Sequence, residues 1–199
     1  MDSPESAGPI PGVAGLLLAG GASTRMGTDK AILEIDGEPL AIHVVRVLAR
    51  VCDPVLVASG DGRRLDWLGL PQVADAAPDS GPLAGILAGL EAAATPLLAV
   101  VAVDMPNSSD AVLRLLAERA EGHDAAVPET REGLQPLHAV YATAAAAKLR
   151  ASFESGERSV RRALERLDVA VVPHEEWAGA DPTGLFDRNV NRPADLGPN

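Results

Sequence analysis

The sequence predicts an α/β fold, a three-layer α/β/α domain around a mainly parallel sheet, and three observations support that prediction. Strand-length apolar runs alternate along the chain with segments whose apolar residues recur at helical spacing. Residues 97–103 are apolar throughout, as expected of a central strand that is covered on both faces. No internal repeat or linker interrupts the 199 residues, a length that suits one domain.

The predicted elements follow from apolar pattern and from Gly and Pro punctuation. Strands are predicted at residues 13–19, 54–59, 72–74, 96–103, 125–128, 134–141 and 168–173, with an extended segment at 31–37 that ends in an Asp36-Gly37 turn. Helices are predicted from Pro39 onward, at 82–94, 111–120 and 143–153, and after the turn at 156–159. Residues 1–12 are expected to be a disordered lead-in. Residues 13–199 are expected to form the single domain.

A glycine-rich stretch with two cations, residues 18–30, follows the first predicted strand. Gly20 and Gly21 permit a sharp turn and a close approach of backbone amides to a ligand. Arg25 and Lys30 can supply positive charge to a polyphosphate, and Lys30 is one of only two lysines in the chain. The stretch is therefore either a phosphate-binding loop or a Gly-rich surface turn. Its spacing matches neither the Walker loop nor the G-x-G-x-x-G fingerprint, so a P-loop hydrolase is the weakest alternative.

Charge and cysteine content narrow the function classes. A net charge of −11 and a pI near 4.7 argue against a nucleic-acid binder and against a protein of anionic membrane surfaces. An anionic substrate must then be held by local cations.

The single cysteine, Cys52, cannot form an internal disulfide, and no signal-peptide pattern opens the chain, so a cytoplasmic location is expected. Cys52 closes an apolar helical pattern and is expected to be a buried structural thiol.

Asp104 stands directly after the predicted central strand, where open α/β sheets collect their ligands. It is a candidate metal ligand, or alternatively a cap for the next helix, although Ser108, Ser109 and Asp110 are better placed for capping. His138 lies in a predicted strand and either contacts substrate or is an ordinary sheet residue. His43 is expected on a solvated helix face.

The segment Leu18-Ala-Gly-Gly-x-Ser-x-Arg-Met-Gly-x-Asp-Lys30 resembles the opening signature of the MobA-like nucleotidyltransferases, specifically the molybdenum cofactor guanylyltransferases. Further motifs match in order as far as Leu196. The resemblance implies a Rossmann-like nucleotidyltransferase domain. It also implies catalytic roles for Arg25, Lys30 and Asp104, with Asp104 on the metal. Residues implied to bind nucleotide or pterin are Leu18, Ala19, Gly20, Gly21, Lys30, Asp75, Gly81, Gly85, Asp104, Arg158, Asn189 and Asn191.

The chemistry implied by the resemblance is nucleotidyl transfer with Mg²⁺. The terminal phosphate of molybdopterin attacks the α-phosphorus of GTP and expels pyrophosphate. Protein partners would be transient, namely those that deliver the pterin or receive the product. Two positions depart from the family pattern: Arg192 replaces a Thr, and Ser59-Gly60 stands where an Asn is usual. Asn189 and Asn191 lie where related two-metal enzymes place a second carboxylate, so one principal carboxylate, Asp104, is expected on the metal.

Three other functions remain open at this point. One is the same transfer from CTP, and another is transfer to a sugar phosphate, against which the resemblance of residues 189–193 argues. The third is a nucleotide-binding module without catalysis. The cytidylyl relatives carry Leu-Ala-Ala-Gly where this chain has Leu18-Ala19-Gly20-Gly21. The missing methyl group at Gly20 leaves room for a purine, so GTP is expected to be preferred over CTP.

Overall fold

Ten β-strands and six α-helices alternate in the computed structural model, which describes residues 8–20, 29–75, 80–181 and 183–188. The strands are β1 (Val13–Leu18), β2 (Glu34–Ile35), β3 (Glu38–Pro39), β4 (Val55–Ala58), β5 (Gln72–Val73), β6 (Leu97–Ala102), β7 (Ala125–Thr130), β8 (Gly133–Leu134), β9 (His138–Ala142) and β10 (Val169–Val172). The helices are α1 (Leu40–Val51), α2 (Pro82–Ala92), α3 (Asp110–Arg119), α4 (Ala146–Glu154), α5 (Val160–Leu164) and α6 (His174–Ala180).

The main sheet has the strand order β10-β7-β9-β6-β1-β4-β5, and β8 pairs with β7 beside it. Every neighbouring pair along this path is parallel except the two that involve β9, which runs antiparallel to both β6 and β7. Strand β6 therefore lies at the centre, as its continuous apolar run predicts. Leu18 is in register with Ala102, so β1 and β6 end side by side.

Two buried clusters lie on opposite faces of the sheet. Along β1 the side chains alternate: Leu17 belongs to the cluster under α1, α3 and α6, whereas Leu16 and Leu18 belong to the cluster under α2, α4 and α5. This alternation is what a strand covered on both faces requires. The predicted three-layer α/β/α architecture is confirmed.

The strand predicted at 134–141 and the region after Pro173 differ in the structure. The single strand predicted at 134–141 is divided into β8 and β9, because Pro136 has no backbone N–H for a ladder and the chain turns there. Helix α6 was missed, although Pro173 before it and the acidic Glu175 and Glu176 in its first turn are helix-start signals.

The segment predicted as extended at 31–37 begins instead with a 3₁₀ turn, Lys30–Ile32. The β2–β3 hairpin then follows, and its turn is the predicted Asp36-Gly37, with both residues at positive φ as tight hairpins prefer. The hairpin folds back over α1, so that Nε2 of His43 lies 3.2 Å from the Ile35 carbonyl oxygen. The His43 side chain is 22% exposed, so it is only partly solvated.

Cys52 is buried, and burial raises the pKa of its thiol to about 12, as suits a structural cysteine.

Residues 1–7 of the predicted lead-in lie outside the described residues. Within the remainder of the lead-in, the amide of Ile10 donates to the Val51 carbonyl at 2.7 Å, and Arg114 donates to the Gly8 carbonyl at 3.0 Å. No helix among the described residues is long and apolar enough to cross a membrane.

Helix α2 approaches the sheet so closely that Gly89 has no room for a side chain. A Cβ there would lie 2.6 Å from Cδ2 of the fully buried Leu16. Gly89→Ala should overpack the core at a cost of about 1–3 kcal/mol, which a helix-propensity gain of up to about 1 kcal/mol only partly offsets. Gly179→Ala in α6 is the matched control, because a Cβ there has open space. In urea unfolding we expect the first variant to be destabilised and the second to be unchanged or more stable.

Candidate functional site

The carboxyl ends of β1, β4, β5 and β6 meet at one edge of the sheet, because these four strands are parallel. Three predicted site segments lie there: Leu18 ends β1 and is followed by Ala19 and Gly20, Asp75 comes two residues after β5, and Asp104 comes two residues after β6. The structure therefore gathers these residues in one place. The predicted site residues Gly21, Arg25, Asn189 and Asn191 lie outside the described residues.

The carboxylate of Asp75 lies between the end of β1 and helix α2. A Cβ on Gly20 would lie 3.1 Å from Oδ2 of Asp75, and a Cβ on Gly85 would lie 3.3 Å from its Oδ1. The Asp75 amide donates to the Gly60 carbonyl at 3.0 Å, which fixes the residue on the turn after β4. The two glycines thus leave this carboxylate little spare room, and Gly81 is the N-cap of α2 nearby, at φ +76°.

Lys30 and Asp104 form an ion pair, with 2.9 Å between Nζ and Oδ2. The side chains are 22% and 25% exposed, so both charges remain within reach of a ligand. The N-cap of α3 is Ser109, whose side chain accepts a hydrogen bond from the Val112 amide, so the capping alternative for Asp104 is wrong. Among the described residues no group of three or more His, Cys, Asp or Glu side chains could hold a metal ion.

Arg64 also lies at this edge, and the sequence reasoning missed it. Its guanidinium donates to the Asp29 carboxylate and to the Ala19 carbonyl, and its Nε donates to the Ser59 carbonyl at 3.3 Å. The only sequence signal is the Arg63-Arg64 pair after the Asp61-Gly62 turn, in the region where the family pattern is lost.

Arg158 is held against helix α4. Its Nη1 donates to the Phe153 carbonyl at 2.7 Å, and its guanidinium carbon lies 4.0 Å from the centroid of the Phe153 ring. A Cβ on Gly81 would lie 3.9 Å from the Arg158 carbonyl oxygen. The turn at Gly156-Glu157-Arg158 therefore lies next to the start of α2. The two segments are more than 70 residues apart in the sequence.

His138 begins β9 at the same edge and is completely buried. Its Nε2 accepts a hydrogen bond from the Ser109 amide at 3.2 Å, so the ring is neutral there with its proton on Nδ1. The Phe186 ring lies 4.7 Å away between centroids. Burial lowers the pKa of His138 from 6.5 to about 4, against a smaller opposing effect of Asp181. Of the two predicted alternatives, the geometry favours the sheet residue.

The comparison with known proteins decides the family. The family model named MobA-like NTP transferase domain matches residues 15–177. This chain belongs to the MobA-like NTP transferase family. It is 40% identical over 192 residues to a probable molybdenum cofactor guanylyltransferase of Chloroflexus aggregans, with 92% of this chain and 91% of that protein covered. It is 43% identical over 170 residues to a molybdenum cofactor guanylyltransferase of Burkholderia ambifaria, with 78% and 83% covered.

Solved structures agree with this assignment. This chain matches the crystal structure of molybdopterin-guanine dinucleotide biosynthesis protein A from Archaeoglobus fulgidus with a TM-score of 0.80 and 28% sequence identity. The match covers 92% of this chain and 94% of that one. The predicted resemblance and fold class are thereby confirmed.

The buried His138 predicts an acid-sensitive stability. Because its folded pKa lies below 6.5, the unfolded chain binds the extra proton, and stability is lost as the pH falls from about 6.5 toward 4. Between pH 7 and pH 5 the loss from this residue should be about 2 kcal/mol. Comparing urea unfolding at the two pH values, we expect His138→Gln to lack this part of the loss. His123→Gln, the exposed histidine control, should retain it.

Proposed function

We propose that this protein is a molybdenum cofactor guanylyltransferase, which transfers GMP from GTP to the terminal phosphate of molybdopterin and releases pyrophosphate. The observation that carries the proposal is the 2.9 Å contact that joins Lys30, at the end of the signature stretch, to Asp104 at the end of the central strand. The names of the relatives from Chloroflexus aggregans and Burkholderia ambifaria support the same substrates.

The reaction brings two anions together, so charge neutralisation and alignment are the tasks of the protein. A phosphate oxygen of molybdopterin forms a bond to the α-phosphorus of GTP, the bond from that phosphorus to the β-phosphate oxygen breaks, and pyrophosphate leaves. In a chain of net charge −11 the cations must be local. Lys30, with Arg25 of the same stretch, is assigned to the triphosphate.

Enzymes of this family generally use a divalent metal ion, and we propose Mg²⁺ held by Asp104. The residues fit that ion, because Mg²⁺ is commonly held by one or two carboxylates together with substrate phosphates and water. The Asp104 carboxylate is partly exposed and already attracts the Lys30 ammonium group. When bound, the ion would supply positive charge that stabilises the developing charge on the phosphates, and Lys30 would supply a second cation for the nucleotide.

The remaining roles divide between the two substrates. The nucleotide is proposed to contact the end of β1 and the first turn of α2, namely Leu18, Ala19, Gly20, Gly21 and Gly81 to Gly85. Asp75 is proposed to lie on the guanine side. The pterin phosphate is proposed to contact Arg158, Asn189 and Asn191. Transient partners that deliver the pterin or accept the product, and the cytoplasmic location, belong to the same proposal.

The test is pyrophosphate release on mixing the protein with GTP, Mg²⁺ and molybdopterin. A module that only binds nucleotide would bind GTP and release none. Asp104→Asn should lower the rate at least about 100-fold while the thermal midpoint changes little, since removing a group that stabilises transition-state charge costs that order. Asp110→Asn, an exposed aspartate six residues further on, is the control and should keep the parent rate. Normal turnover by Asp104→Asn at low Mg²⁺ would contradict the metal assignment.

The base is proposed to be chosen at Gly20 and Asp75. A Cβ on Gly20 would lie 3.1 Å from Oδ2 of Asp75, so Gly20→Ala must displace that carboxylate or the strand end. We expect the parent to prefer GTP, and the ratio of kcat/KM for GTP over CTP to fall roughly tenfold in Gly20→Ala, since one unsatisfied polar contact costs 1–3 kcal/mol. Gly179→Ala should leave the ratio unchanged. A parent that uses CTP equally well would refute the choice of base.

A further inference from the structure

We propose that Arg64 is a positioning residue that links Ala19 to Asp29, the described residues at the two ends of the predicted phosphate-binding loop, here called the signature loop (residues 20–29). Its guanidinium donates to the Ala19 carbonyl, directly before this stretch of sequence, and to the carboxylate of Asp29, its last residue. Nothing in the family signature includes Arg64, which lies 35 residues beyond Asp29. The inference rests on the proposed function, since it concerns the same nucleotide site.

The turn after β4 aims Arg64 at these acceptors. Oδ1 of Asp61 accepts hydrogen bonds from the amides of Arg63 and Arg64, both at 2.9 Å. Gly62 makes the turn possible, because its φ is +74° and a Cβ there would lie 3.1 Å from the Ala74 amide nitrogen. The Arg64 backbone is thus fixed on the sheet edge, and the Nε bond to the Ser59 carbonyl orients the side chain.

Asp29 connects Arg64 to the catalytic ion pair. One carboxylate oxygen of Asp29 pairs with Arg64, and the other accepts a hydrogen bond from the Ala31 amide at 3.0 Å, which caps the 3₁₀ turn Lys30–Ile32. That turn sets the direction from which Lys30 reaches Asp104. A chain of direct contacts therefore runs from Arg64 through Asp29 to the backbone that carries Lys30.

The pairing also removes an electrostatic obstacle. Asp29 places a carboxylate next to Lys30, at the end of a loop that must bind a triphosphate. An unpaired negative charge there would repel the ligand, and its repulsion would be felt because the residue is only 25% exposed. Arg64 neutralises this charge. Its planar fork serves a carboxylate and two carbonyls at once, which the single ammonium group of a lysine cannot reproduce.

Binding of GTP, measured by calorimetry, tests the role against a matched control. Arg64→Ala should weaken GTP binding tenfold or more, because charge-assisted contacts at both loop ends are lost. Arg63→Ala removes the same charge from the neighbouring exposed position and should change the affinity less than twofold. Arg64→Lys should recover only part of the loss. At saturating GTP, the loss in kcat of Arg64→Ala should be smaller than its loss in GTP affinity, because Arg64 does not touch the reacting atoms and acts on Lys30 only through Asp29.

Two further measurements decide whether Arg64 acts through Asp29. If it does, Asp29→Asn combined with Arg64→Ala should bind GTP no more weakly than Arg64→Ala alone. Independent additive losses would overturn the proposal, as would equal affinity of Arg64→Ala and Arg63→Ala. Hydrogen exchange at the Ala31 amide needs no nucleotide: it should be faster in Arg64→Ala than in Arg63→Ala, and equal rates would refute the proposal. A parent that fails to bind GTP would refute the proposed function, while the exchange measurement would still test the role of Arg64.

Discussion

The site depends above all on the parallel pairing of β1 and β6. Leu18 stands opposite Ala102, and the Val103 amide donates to the Leu18 carbonyl at 3.0 Å, so both strands end at the same level. This register places the ends of β1 and β6 at the edge of the sheet where Lys30 and Asp104, 74 residues apart, meet at 2.9 Å. A slip of two residues would move one end by about 6.5 Å, and a slip of one would exchange the two faces of the strand. The apolar side chains of the two layers therefore fix the distance between two charged groups.

Two cations of the site, Lys30 and Arg64, are held by carboxylates of the protein itself. Lys30 pairs with Asp104 and Arg64 pairs with Asp29, which suits an acidic chain that must orient cations before an anion arrives. The two pairs nevertheless differ in purpose. The Lys30 pair is partly exposed, so in the proposed function a phosphate can reach Lys30 and replace Asp104 as its partner. The Arg64 guanidinium has backbone acceptors as well, and these keep it in place when the ligand binds.

A contact can be predicted from the sequence only where it requires particular residue types, because only then does it produce a recognisable pattern. A strand buried on both faces must be apolar throughout, so β1 and β6, and with them the place of Asp104, could be predicted. Ser109 could be predicted as a cap because capping needs a short polar side chain at a helix start. Arg64 could not, because two of its acceptors are carbonyl groups, which every residue has. The neighbourhood of Gly81 and Arg158 likewise depends on how helices pack, not on any local motif.

Helix α2 shows why the core and the site cannot be specified separately. Gly85 faces both: a Cβ there would lie 2.5 Å from Cδ1 of Leu18, in the core, and 3.3 Å from Oδ1 of Asp75, at the site. A larger residue there would have to displace the Leu18 side chain or the helix itself, since a well-packed interior has no spare volume. A shift of the helix would also move Gly81 relative to Arg158 and change the surroundings of the Asp75 carboxylate. The absence of one side chain thus sets the packing of a layer and the position of a charged group together.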